Sequence, residues 1–216
     1  MTTIVLIAKE TVPGKVKTRL HPALSYEQAA QLAAESISDT LDAIAAMPAA
    51  RRVLLFDGET VPRGTEGFEL LPQVDGGLDE RLGAMFDAAD GPTVLVGMDT
   101  PQLTPDLLAP VFEPWPDGVD AFFGPASDGG FWALALANPD GDLLRGIPMS
   151  QDDTGELQLK RLRDAGLTVE LLPELTDVDT IDDAREVAAL APDGRFAQAL
   201  ARFDAPSAGT TDSAAR

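Results

Sequence analysis

The sequence predicts a single-domain α/β fold, a mostly parallel sheet with helices on both faces, and three observations lead there. Strand-like and helix-like segments alternate along the chain, the pattern of parallel strands linked by crossover helices. The first strand-like run, residues 3–8, is continuously apolar, as a strand buried on both faces should be. The chain has 216 residues, 44% of them apolar, which suits one domain with a substantial core.

The elements follow in order. After the strand at 3–8, Ser25 opens a helix with Gln28 three residues on, a capping box. Ala29, Ala33, Ile37, Leu41 and Ile44 then recur at helical spacing. Strands are predicted at 52–56, 68–71, 93–97, 119–123, 131–136 and 168–172. Helices are predicted at 80–88, from Thr104-Pro105 onward, and at 154–165, 180–190 and 195–203. Pro105 sits at a first helical position, and Gly166 follows the 154–165 helix as a C-cap. The domain is expected to span 1–203. The Ala/Ser/Gly/Thr-rich segment 204–216 reads as a disordered tail.

Charge narrows the function. The formal net charge is -20, which argues against nucleic acid as a partner. No apolar run reaches the roughly 18 residues of a membrane span. The start MTTIVLIAKE lacks the features of a secretory signal, so a cytoplasmic location is expected. The chain has no cysteine, which excludes disulfides and thiolate metal sites.

In open α/β sheets ligands gather at the carboxyl ends of strands, so the loops after strands carry the candidate chemistry. The first loop brings together Lys9, Lys15, Lys17 and Arg19, four of only sixteen basic residues. Gly14 allows a tight turn there. Lysine and arginine can neutralise phosphate oxygens, arginine in a bidentate way, yet the spacing is neither a P-loop nor a dinucleotide fingerprint. The second loop places Asp99 just past a buried strand, where a carboxylate is costly unless paired or bound to metal. The third holds Asp177 and Asp179, two apart and on one face of an extended segment. Thr180 and Asp183 form a capping box beyond them. Asp179 is the stronger candidate to join Asp99 at a metal. Arg81, Asp128, Gly129, Gly130 and Trp132 are candidate acceptor contacts, two of them with a structural alternative: an ion pair for Arg81, a core position for Trp132.

The segments Val12–Leu20, 78–82, 97–101, 124–132 and 177–180 resemble, in order, the DUF2064 family of radical-SAM/selenodomain-associated transferases. The resemblance runs from about residue 3 to 190. It implies a GT-A fold of the nucleotide-diphospho-sugar transferase superfamily. It also implies a triphosphate grip at Lys15, Lys17 and Arg19, with Asp99 and Asp179 as ligands of Mg²⁺ or Mn²⁺. The favoured function is nucleotidylyl transfer from a nucleoside triphosphate to a small phosphorylated acceptor, with Lys15, Arg19 and Asp99 as the catalytic set. The alternatives are glycosyl transfer from a nucleotide-sugar, with Asp128 or Asp153 near the acceptor hydroxyl, and a catalytically silent nucleotide-binding module. The partners implied are a nucleotide or nucleotide-sugar and a small acceptor, with a homodimer left open.

Overall fold

The computed structural model describes residues 1–204. Its strands are β1 (Thr3–Lys9), β2 (Arg51–Asp57), β3 (Glu69–Pro72), β4 (Thr93–Val96), β5 (Ala121–Pro125), β6 (Phe131–Leu136) and β7 (Val169–Leu171). They form one sheet in the order β3-β2-β1-β4-β6-β5-β7. Every pairing is parallel except the two made by β6, which runs against β4 and β5. The helices are α1 (Tyr26–Ala45), α2 (Leu78–Asp87), α3 (Pro105–Phe112), α4 (Thr154–Asp164), α5 (Ile181–Leu190) and α6 (Arg195–Asp204).

Both faces of the sheet are covered, which is why β1 has to be apolar throughout. Ile4 and Leu6 pack with Ile37, Leu41 and Ile44 of α1 and with Leu108 and Val111 of α3. Val5 points the other way, into a cluster with Leu82 and Phe86 of α2 and Leu162 of α4. Each of these large side chains contributes roughly 1.5–3 kcal/mol by leaving water. A third cluster joins α1, α5 and α6 through Leu32, Val187, Phe196 and Leu200, and it also takes in Val178.

The capping boxes at Ser25/Gln28 and Thr180/Asp183 both form. Gly166 adopts the left-handed conformation, φ 83°, just past α4. Thr104 precedes α3 but makes no side-chain cap. β5 begins at Ala121 rather than at 119, because Val119 closes a turn onto Pro116. Asp204, read from sequence as the start of a tail, is the last residue of α6; residues 205–216 lie outside the described residues. Among the described residues no helix is long and apolar enough to cross a membrane.

The strand order positions the site. The chain leaves β1 through α1 to β2 on one side, and returns through α2 to β4 on the other. The two connections diverge between β1 and β4, and that divergence opens a crevice at their carboxyl ends.

Candidate active site

A cleft of about 660 Å³ lies there. Its first side is the loop after β1. Val16 and Leu20 are buried and anchor this loop, and Thr18–Leu20 forms a short 3-10 turn. The alternate residues Lys15, Lys17 and Arg19 consequently line the cleft, together with Lys9. Lys17 has φ 46° and ψ 40°, a left-handed conformation that non-glycine residues seldom adopt. Its side chain is only 8% exposed.

That side chain ends between carboxylates. Lys17 Nζ is 2.7 Å from Asp99 Oδ1 and 3.2 Å from Asp179 Oδ1. Arg19 Nη1 lies 3.0 Å from Asp179 Oδ2. The two aspartates come from loops far apart in sequence, and the Val178 amide donates to the Asp99 carbonyl at 3.0 Å to hold those loops together. Val178 in turn is fixed by its side chain in the third hydrophobic cluster. Burial opposes the charge on Lys17, but Asp99 and then Asp179 outweigh it and hold its pKa above the ordinary lysine value. Asp177 stands beside this group. Burial, then the negative charges of Asp99 and Asp128, push its carboxyl up to about 7.

This arrangement bears on the expected metal. No group of three or more acidic or histidine side chains is gathered as a metal cage among the described residues. Mg²⁺, however, is commonly held by one or two carboxylates, with water and substrate phosphate completing the shell. Asp99 and Asp179 already share a cation, the Lys17 ammonium. Asp99 Oδ1 is buried and, despite that ion pair, accepts no well-aligned hydrogen bond. The donor set therefore fits a divalent ion that arrives with a phosphate ligand. Lys17, expected at the phosphates, is in this structure the counter-ion of the two aspartates.

The expected acceptor contacts fare unevenly. Asp128 and Gly130 line the cleft, and Asp128 Oδ1 accepts from the Gly130 amide at 2.8 Å. Arg81 lines it too, but its guanidinium is engaged with Asp57 at 2.9 Å, the Gln73 side chain at 3.1 Å and the Gly76 carbonyl at 3.0 Å. Trp132 borders the cleft but is a core residue: it is 1% exposed and its indole N–H donates to the Pro173 carbonyl at 3.0 Å. At a β-bulge Gly124 faces Ala133 while Pro125 faces Phe131, so Trp132 is the extra residue and packs in the same cluster as its neighbour Ala133. Gly129 makes room for the chain itself, since a β-carbon there would stand 1.8 Å from the Asp152 carbonyl oxygen. Gly14 makes the expected turn, φ 75°, but faces open space.

One wall escaped the sequence reading. Met149, Ser150, Gln151, Asp152 and Thr154 also line the cleft. They lie at the start of α4 or just before it instead of following a strand, so the strand-end rule did not reach them. Asp153, considered for the acceptor, is the residue before α4 and makes no side-chain cap; its neighbour Asp152 faces the cleft.

Comparison with known proteins places this geometry in context. Among curated proteins, none matches the sequence. The fold resembles that of a candidate nucleotide-diphospho-sugar transferase from Desulfovibrio desulfuricans G20, with a TM-score of 0.74 at 24% identity over 94% of this chain and 97% of that one. It also resembles CMP:2-keto-3-deoxy-manno-octonic acid synthetase complexed with CTP (TM-score 0.54, 12% identity, 89% and 98% covered). A third similar structure is the manganese complex of Rv0371C from Mycobacterium tuberculosis H37Rv (TM-score 0.51, 20% identity, 86% and 96% covered). These likenesses establish a GT-A-like fold. A family model described as "Uncharacterized protein conserved in bacteria (DUF2064)" matches residues 40–151, a stretch that contains Asp99 and Asp128 but neither the first loop nor Asp179. The match spans more than half of the chain, which therefore belongs to the DUF2064 family.

Proposed function

We propose that this chain is a metal-dependent, nucleotide-using transferase, and within that class a nucleotidylyltransferase acting in the cytoplasm. One observation carries the reading: the Lys17 ammonium sits between Asp99 and Asp179, in the same cleft as Lys15 and Arg19. A nucleoside triphosphate needs that combination of carboxylates and cations. Asp99 and Asp179 would hold Mg²⁺ or Mn²⁺, which when bound neutralises charge on the phosphates and polarises the reacting phosphoryl group. Lys15 and Arg19 take the outgoing pyrophosphate, and Lys17 exchanges its carboxylate partners for phosphate oxygens as the nucleotide enters. Positioning and electrostatic stabilisation then supply the rate, with no protein nucleophile. The fold supports the reading, since similar structures include a synthetase complexed with CTP and a manganese complex.

The test is a panel of nucleoside triphosphates and nucleotide-sugars, each with Mg²⁺ and a mixture of small acceptors. Pyrophosphate release is expected. Release of free nucleoside diphosphate would identify glycosyl transfer instead, while metal-dependent binding without turnover would identify a silent nucleotide-binding module. If calorimetry finds no nucleotide that binds in the presence of Mg²⁺, the cleft is not a nucleotide site.

A further inference from the structure

The basic residues of the cleft are unevenly distributed. The cations that line it are Lys9, Lys15, Lys17, Arg19 and Arg81. Lys9 ends β1 and the next three belong to the loop after it, and Arg81 is already engaged with Asp57, Gln73 and Gly76. The lining that the β5–β6 turn and the segment before α4 contribute is Asp128, Ser150, Gln151 and Asp152, with Phe131 and Met149 beside them, and it contains no lysine or arginine.

This wall is built before any ligand arrives. Ser150 is held at φ 59°, outside the range ordinary side chains prefer. Thr154, 4% exposed, locks the segment by donating its hydroxyl to the Pro148 carbonyl at 2.9 Å and accepting from the Gln151 amide at 3.0 Å. The Gly155 amide donates to the Gly129 carbonyl at 2.8 Å and joins this segment to the Asp128 turn.

We infer that the acceptor is a phosphate-free, hydroxyl-bearing compound, a sugar or sugar alcohol, rather than the phosphorylated acceptor that the sequence points to. The inference rests on the transferase reading above and concerns the part of the cleft that the nucleotide's phosphates leave open. A phosphorylated acceptor would bring negative charge against Asp128 and Asp152 with no cation to receive it, and like charges so placed repel the wrong partner. Hydroxyl groups meet the opposite situation. Carboxylates and the Gln151 side-chain carbonyl accept their hydrogen bonds, while Phe131 and Met149 offer apolar surface to the C–H face of a sugar. In the transfer, the hydroxyl oxygen forms the new bond to the α-phosphorus. The α–β bridging bond breaks, pyrophosphate leaves with the electron pair, and the hydroxyl proton passes to water.

Two measurements test this on the full chain. The first compares matched acceptors, glycerol with glycerol 3-phosphate, ribitol with ribitol 5-phosphate and inositol with inositol 1-phosphate, by kcat/KM at saturating nucleotide. The free polyol should be favoured by about tenfold or more in any pair that turns over. The second titrates inorganic phosphate into protein saturated with a non-hydrolysable nucleotide and Mg²⁺, followed by ³¹P NMR. Wild type should show no further phosphate site at millimolar concentration, and Asp152→Lys should create one. A preference for the phosphorylated partner, a phosphate site in the loaded wild type, or failure of Asp152→Lys to create one would overturn the inference and leave the transferase reading standing. Absence of nucleotide binding would remove both.

Discussion

Replacing Lys17 with Met removes the ammonium while keeping a side chain of similar length, and asks the same left-handed backbone of its replacement. The loss can be sized from the geometry. Removing one partner from a buried ion pair costs about 3–5 kcal/mol, whereas exposed pairs are worth only about 0–1 kcal/mol. The Lys17 side chain is 8% exposed, but Asp99 and Asp179 are 36% and 35% exposed, so water compensates part of what they lose. An intermediate cost of about 2–3 kcal/mol follows from those two limits. For a chain of this length each kcal/mol moves the melting temperature by roughly 2–4 °C, so Lys17→Met should melt about 4–12 °C below wild type in buffer containing EDTA. Mg²⁺ or Mn²⁺ should then restore much of the loss, because a divalent ion can replace the missing charge between Asp99 and Asp179 and stabilises by mass action. Wild type should respond less, since its own ammonium competes for the same carboxylates. Differential scanning calorimetry of both proteins, with and without metal, decides the matter. An unchanged melting temperature in EDTA would show that the ion cluster does not support the fold. A destabilised variant that ignores both metals would show that the aspartate pair is not a divalent-cation site.

Other expectations are as definite. Asp99→Asn should abolish most Mg²⁺-dependent nucleotide binding while leaving the circular-dichroism spectrum intact; wild-type affinity in that variant would remove Asp99 from the metal. Arg19→Lys keeps the charge but loses the planar fork, so nucleotide affinity should fall by about one decade or more by calorimetry. Gly129→Ala would place its β-carbon 1.8 Å from the Asp152 carbonyl oxygen at φ 87°, and should lower stability by several kcal/mol, on the order of the largest single-residue effects. Asp177 has a folded-state pKa raised to about 7, so the folded protein binds the extra proton and metal-free stability should decline as pH rises from about 4 toward 7. Asp177→Asn should flatten that decline in urea titrations, and an unaltered slope would assign it to other groups.

The elements were legible in the sequence because their signals are local. A continuous apolar run identified β1, and apolar residues at helical spacing identified α1. Two capping boxes fixed where α1 and α5 begin, since each needs only a side chain and a backbone amide three residues away. The basic loop and the two acidic loops were also visible, because each follows a strand. What the sequence could not decide is how distant segments meet. Lys17 and Asp179 are 162 residues apart, and their pairing depends on a strand order that sets β1 beside β4 and on Val178 seating the last acidic loop in the core. Trp132 reads equally as an acceptor contact or a core residue, and only its burial, with the indole N–H donating to the Pro173 carbonyl, decides for the core. Gly129 reads as room for a substrate until Asp152 fills it. Periodicity and capping act over a few residues and are written in the chain; the partner of a buried charge, and the residues that share its cleft, are chosen by packing across the whole sheet.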